Sequence, residues 1–186
     1  VGSTGAGKTS VINLLNRFYE INSGEISIDG INIKDYKLSN LRKNIGIVLQ
    51  DVILFSDKIF NNITLKDDSI SLDQVKLAAK QIGVHDFIMS LPNNYYYNVK
   101  ERGIMLSSGQ RQLIAFLRVY VSDPQILILD EATSSIDSTS EILIQNATEK
   151  LTKNRTSLII AHRLATIKKA NNIIVMDSGN IIEQGS

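Results

Sequence analysis

Cysteine is missing altogether from the 186 residues. That excludes a disulfide scaffold and a Cys-ligated zinc site, and it fits a reducing compartment. A surplus of either charge is missing too, since 20 Lys and Arg against 19 Asp and Glu leave a formal net charge of +1. Neither the basic footprint of a nucleic-acid binder nor a disordered acidic tail fits that balance, so no nucleic acid is expected as a partner. Long apolar runs are lacking, with none approaching the ~18–20 residues that span a bilayer. An initiator Met and a signal-peptide pattern are also absent, so Val1 reads as a cut edge and the chain as a piece of something longer. What is present suffices for one ordinary domain: 43% apolar residues at this length bury a sizeable core without staples.

Short apolar runs alternate with helical patterns, which predicts an α/β domain with a largely parallel sheet. Buried strands are expected at Ile45–Leu49, Ile126–Leu129, Leu158–Ala161 and Ile173–Met176. Amphipathic helices are expected at Ser71–Ile82, Ser108–Val121 and Ser138–Leu151. Ser71 stands three residues before Gln74, a capping-box start, and Gly83 supplies the stop. Asp29-Gly30, flanked by Ile26–Ile28 and Ile31–Ile33, predicts a type I′ hairpin, and Ser178-Gly179-Asn180 a second. Residues 51–122 show helical patterns and no buried strand, so they are read as a helical subdomain inserted between 1–50 and 123–186. The Tyr95–Tyr97 cluster reads as a loop with packing residues, and His85 as structural or superficial.

Gly2-Ser3-Thr4-Gly5-Ala6-Gly7-Lys8-Thr9 fits the pattern G-x-x-x-x-G-K-[ST]. Glycines let such a loop wrap closely, so that backbone N–H groups meet phosphate oxygens at the positive end of the following helix. Lys8 can reach the β- and γ-phosphates, and the Thr9 hydroxyl can ligate Mg²⁺. At ordinary residue frequencies a random match in this length arises about 1% of the time. Val11, Leu14, Leu15 and Phe18 give the helix that should follow. Ile126–Leu129 then runs into Asp130-Glu131, one carboxylate for a metal ion and its waters and one for an attacking water. By itself that pair would read equally well as a solvated acidic turn; beside a phosphate loop it gains weight. Gln50 and His162 each follow a predicted strand, and in a parallel sheet all such ends emerge at one ligand-binding edge. Leu106-Ser107-Ser108-Gly109-Gln110 opens a helix. That start is either a plain Ser cap or a second anion cradle, and a second cradle hints at a second subunit closing over the nucleotide.

With these residues in hand, the whole chain resembles the nucleotide-binding domain of an ATP-binding-cassette (ABC) transporter. Gly2–Thr9 looks like the Walker A loop, Gln50 the Q-loop glutamine, Leu106–Gln110 the signature, and Ile126–Asp130 Walker B. Glu131 is similar to the catalytic glutamate, Ser134-Ser135-Ile136-Asp137 to the D-loop, and His162 to the switch histidine. Val99–Gly103 resembles the exporter segment that touches the membrane domain. The resemblance implies a P-loop NTPase (RecA-like) core with a mostly parallel sheet, an antiparallel β portion and an inserted helical subdomain. It implies ATP and Mg²⁺ as ligands, a transmembrane domain as partner, and a second nucleotide-binding domain paired head to tail. It also implies a place on the cytoplasmic face of the cell membrane. By carry-over, Gly2, Ser3, Thr4, Gly5, Ala6, Gly7, Lys8, Thr9, Ser10 and Gln50 bind ATP, while Ser107, Ser108, Gly109 and Gln110 serve the partner's ATP. Thr9, Gln50 and Asp130 attend the metal. Glu131 polarises the attacking water, His162 and Gln50 complete the catalytic set, and Asp137 links the two sites.

Ser108 departs from the family's Leu-Ser-Gly-Gly-Gln, and its Cβ is tolerated only at negative φ. The variant points to one half of a heterodimer. The adenine-stacking aromatic and the strand that feed the Walker A loop are not in this sequence, so as it stands the chain is expected to fold poorly and bind ATP weakly. The implied activity is ATP hydrolysis driving export. The alternatives are a soluble ABC ATPase of DNA maintenance or ribosome function, and a regulatory nucleotide-binding module that never hydrolyses ATP.

Overall fold

The computed structural model describes residues 1–130, 137–161 and 164–186. In chain order the helix α1 (Lys8–Leu15) is followed by β1 (Ser27–Ile28), β2 (Ile31–Asn32), α2 (Leu38–Lys43) and β3 (Ile45–Val48). Then come α3 (Ile59–Thr64), α4 (Leu72–Ile82), α5 (His85–Met89) and α6 (Ser108–Ser122). The chain continues through β4 (Ile126–Asp130), α7 (Ser138–Thr152), β5 (Thr156–Ile160), α8 (Leu164–Ile167), β6 (Ile173–Asp177) and β7 (Asn180–Gly185). Strands β3, β4 and β5 form a parallel sheet in that order, with Val48 opposite Leu129 and Leu129 opposite Ile159. Pairs β1–β2 and β6–β7 are antiparallel hairpins. This is the P-loop NTPase fold that the sequence implies.

Side chains alternate across the parallel strands and so divide the core into two. Ile45, Ile128 and Ile160, with Ile47, Ile126 and Leu158, pack with Ile12 and Leu15 of α1. The intervening residues Val48, Leu127, Leu129 and Ile159 pack on the opposite face with α6, α7 and the helices of residues 51–122. Gly46 lies on that second face, where β3 runs so close to the α6–β4 junction that an added Cβ would stand 2.5 Å from Pro124 Cγ. Among the described residues, 51–122 hold helices, 3-10 turns and one isolated bridge, Lys58–Asn98. Their core is continuous with that of the sheet.

Local signals behave as their chemistry dictates. The Ser71–Gln74 capping box forms in full, and Gly83 ends α4 in the left-handed region. Both hairpin turns take positive φ at their two central residues, Asp29 and Gly30 in one and Ser178 and Gly179 in the other. Boundaries move by a residue or two. Strand β3 stops at Val48 and β5 spans Thr156–Ile160, whereas Ile33 leaves the hairpin for a 3-10 turn because the Asn32 side chain accepts from Lys34 N at 3.0 Å. The expected apolar face of the first helix also shifts. Its buried residue is Ile12, the helix ends at Leu15, and positive φ at Arg17 carries Phe18 off its axis. Phe18 is exposed, beneath the Arg42 guanidinium at 5.0 Å.

Candidate functional site

The loop before α1 is held from outside, chiefly through its backbone. Val1 N donates to Ile174 O at 2.7 Å, Met176 N donates to Val1 O at 2.9 Å, and Gly2 bridges Met176 in parallel register. An added Cβ at Gly2, where φ is +147°, would lie 2.2 Å from Met176 O, so only glycine fits this approach. At the far side of the loop, Gly179 N in the β6–β7 turn donates to Ala6 O at 3.1 Å, and Ala6 is buried. The hairpin therefore clasps the loop at both ends and fixes the start of α1.

That start is suited to an anion. Gly7 is the N-cap, no side chain caps the first turn, and no acidic residue lies in it. Backbone N–H groups there lack intrahelical partners and sit at the positive end of the helix dipole. The Lys8 ammonium folds back over the loop and donates to Gly2 O and Ser3 O, each at 2.7 Å. A triphosphate threading this loop would meet the amine and the amides together. Thr9 and Ser10 are exposed beside them, as are Ser3, Thr4 and Gly5.

Strand parity relates the loop to β4. Ile126 and Ile128 face α1, so Asp130, two residues on and last in the strand, falls on the face that carries the loop helix. Ile12 of α1 packs in the same cluster as Ile128, which places that helix over this strand. Asp130 is half-buried and pairs in register with Ile160 of β5. Gln50, exposed, lies two residues beyond the end of β3, at the same edge of the sheet. Thr9 hydroxyl and Asp130 carboxylate are the hard oxygen donors that Mg²⁺ takes alongside phosphate oxygens and water. Among the described residues no cluster of three or more His, Cys, Asp or Glu forms an all-protein metal cage. Glu131, Ser134, Ser135, Ile136 and His162 lie outside the described residues.

The first turn of α6 is a complete capping box. Ser107 Oγ accepts from Gln110 N at 3.2 Å, and Gln110 Oε1 accepts from Ser107 N at 3.0 Å. Ser107 and Ser108 are exposed while Gly109 is buried. Ser108 is the first helical residue and is not among those with positive φ, so its Cβ fits without strain. Asp137 caps α7, its Oδ1 accepting from Ser140 N at 2.8 Å. His85 is structural, as expected, with its Nδ1 2.9 Å from the hydroxyl of buried Tyr95. Burial, and then the nearby Asp86, push the Tyr95 phenol up to about 12.

One contributor is not visible in the sequence. The hairpin's clasp on the loop joins residues more than 170 apart, for which local pattern has no signal. Gln112, in the first turns of α6, is buried at 4% and lines a small crevice with Asp130, Phe116 and Thr148.

Residues 1–134 match a family model described as ABC transporter. Over its whole length the chain is 50% identical to proteins of Staphylococcus aureus strains NCTC 8325 and bovine RF122/ET3-1 that carry the name multidrug export ATP-binding/permease protein. It spans 32% of the length of each. A solved structure of a bacterial Atm1-family ABC exporter with ATP bound superposes with a TM-score of 0.90 at 43% identity, covering all of this chain and 32% of that one.

Proposed function

Because the chain belongs to the ABC transporter family, we propose that it binds and hydrolyses ATP to power export across a membrane through a transmembrane domain of the same longer protein. The carrying observation is the loop–helix start, where the Lys8 amine lies across the carbonyls of Gly2 and Ser3 at the uncapped end of a helix packed over β4, the strand that ends in Asp130. Gly2–Ser10 hold the phosphates through backbone N–H groups and Lys8. Thr9 and Asp130, with Gln50, would hold a metal ion, and Mg²⁺ there would supply charge neutralisation for the phosphates.

Glu131 takes the proton-accepting and orienting role toward the attacking water, and His162 steadies the γ-phosphate. Two such domains pair head to tail, and Ser107–Gln110 of each closes on the ATP of the other. Asp137, at the start of α7, connects the two sites. Closure on ATP and reopening after hydrolysis then form the working cycle. Residues 51–122 act as the helical subdomain that carries this closing surface.

Support for a membrane-domain partner comes from an apolar surface. Ile53, Phe55, Ile104 and Met105 are exposed, while Leu54 between the first two is buried beside Gly103. Val99–Gly103 runs beside residues 54–57, with Gly103 against Leu54 and Val99 N donating to Asp57 O at 3.1 Å. We place the transmembrane domain's cytoplasmic loops there, on the membrane's inner face. Among the described residues no helix is long and apolar enough to cross a membrane itself. The test is Glu131→Gln in the full-length protein. ATP binding should persist while hydrolysis falls by at least ~100-fold, as for loss of a group acting only in the transition state. Hydrolysis at the unmodified rate would refute the assignment.

A further inference from the structure

We propose that Asn62 and Arg118 are positioning residues for Gln50. They lock the segment that follows Gln50 to the helix whose first turn carries Ser107–Gln110, so that these two nucleotide-facing elements move as one body. The inference rests on the reading above that Gln50 and Ser107–Gln110 attend ATP.

Asn62 is fully buried at 0% exposure, which an amide side chain tolerates only when its hydrogen bonds are made. It makes them to one neighbouring stretch of backbone. Oδ1 accepts from Phe55 N at 2.7 Å, and Nδ2 donates to Phe55 O at 3.0 Å and to Lys58 O at 3.1 Å. Phe55 is thereby gripped at both its N–H and its carbonyl, although the residue is 60% exposed. The carbonyl of Asn62 in turn accepts from Arg118 Nε on α6 at 2.8 Å. Burial lowers the Arg118 pKa, and its Nη2 is buried without a hydrogen-bond partner. A half-buried guanidinium with one buried, unsatisfied nitrogen is a poor way to gain stability, and an apolar side chain of similar length would cost less there. The bond to Asn62 is what a guanidinium adds at this position.

A second attachment lies about two turns earlier on α6. Leu54 is buried against Gly103, where an added Cβ would stand 3.0 Å from Leu54 Cδ1 and 3.1 Å from Arg111 Cδ. Arg111 Nη1 donates to Leu106 O at 2.6 Å, at the threshold of the Ser107 cap. Residues 54–62 are thus fastened to α6 directly at Arg118 and, through Gly103, at Arg111. Only Asp51, Val52 and Ile53 separate Gln50 from Leu54, a tether of about 10 Å at most, so a shift of the fastened segment is passed to Gln50 over a short distance.

The test is a pair of double-mutant cycles on ATP hydrolysis by the full-length protein in lipid nanodiscs: Gln50→Ala with Asn62→Ala, and Gln50→Ala with Arg118→Met. Arg118→Met keeps the packing volume and so remains informative where Asn62→Ala fails to fold. Each single change should lower kcat about tenfold and leave KM for ATP within about twofold, and each double variant should be no worse than its weaker parent by more than about twofold. A purely structural role would instead multiply the losses to about a hundredfold, and that result, or Arg118→Met with unmodified kcat, would overturn the proposal. Failure of the underlying reading looks different. Then the unmodified protein shows no hydrolysis, or Gln50→Ala alone leaves kcat unchanged, and the positioning role falls with it.

Discussion

Replacing Gly46 by Ala is a severe test of how β3 is seated, because the new methyl group has nowhere to go. Its carbon would lie 2.5 Å from Pro124 Cγ and 2.7 Å from Val119 Cγ1, against an ordinary carbon–carbon contact of about 3.5–4.0 Å. Strand and helix must therefore separate by about an ångström. Such overpacking costs about 1–3 kcal/mol. Alanine's lower freedom in the unfolded chain returns about 0.4–1 kcal/mol. At mid-range the clash wins, about 2 against 0.7 kcal/mol, leaving a net loss of about 1.3 kcal/mol. For a domain of this size that lowers Tm by roughly 3–5 °C. Differential scanning calorimetry of the full-length protein, following the nucleotide-binding domain's transition, measures it. The same displacement moves the end of β3 and with it Gln50, so kcat should fall in parallel. An unchanged or raised Tm would show that β3 does not lie against the α6–β4 junction as described.

Two further outcomes follow from other parts of the chain. Ser107→Ala removes the acceptor for Gln110 N and should cost about 1 kcal/mol of stability by the same calorimetry, since an N-cap serine is worth about that much. In the paired transporter it should also weaken the closure on ATP that Ser107–Gln110 performs. The Tyr95 phenol, held at about 12 in the folded chain against 10.0 ordinarily, contributes stability that is complete below pH 10 and is lost as pH rises through 12. Tyr95→Phe should abolish that alkaline decline in a pH series of unfolding curves. It should also cost about 1 kcal/mol at neutral pH through loss of the bond to His85.

Much of the site was legible because its chemistry is written in short local strings. The glycines and lysine of Gly2–Thr9, the apolar run ending at Asp130, and the Ser107–Gln110 box each state a local conformation, and the structure realises each. The hairpin turns at Asp29-Gly30 and Ser178-Gly179 were equally plain, since both require positive φ at two successive residues. What local pattern missed was contact between distant parts. Nothing near Ala6 foretells that Gly179 will donate to it, and nothing near Asn62 foretells Arg118. The helical face of α1 departs from its periodicity for a related reason. Periodicity assumes that the helix continues, whereas here it stops at Leu15, with Arg42 of α2 donating to the carbonyls of Asn16 and Arg17.

The central claim is that Lys8, Thr9 and Asp130 surround one metal-bound triphosphate, and Mn²⁺ used in place of Mg²⁺ reads this directly. Electron paramagnetic resonance of the full-length protein with ATP should show one tightly held Mn²⁺ per domain. Thr9→Val and Asp130→Asn should each weaken its binding about tenfold or more, as expected for loss of a hard oxygen donor. Mn²⁺ held with unaltered affinity after both substitutions would contradict the account.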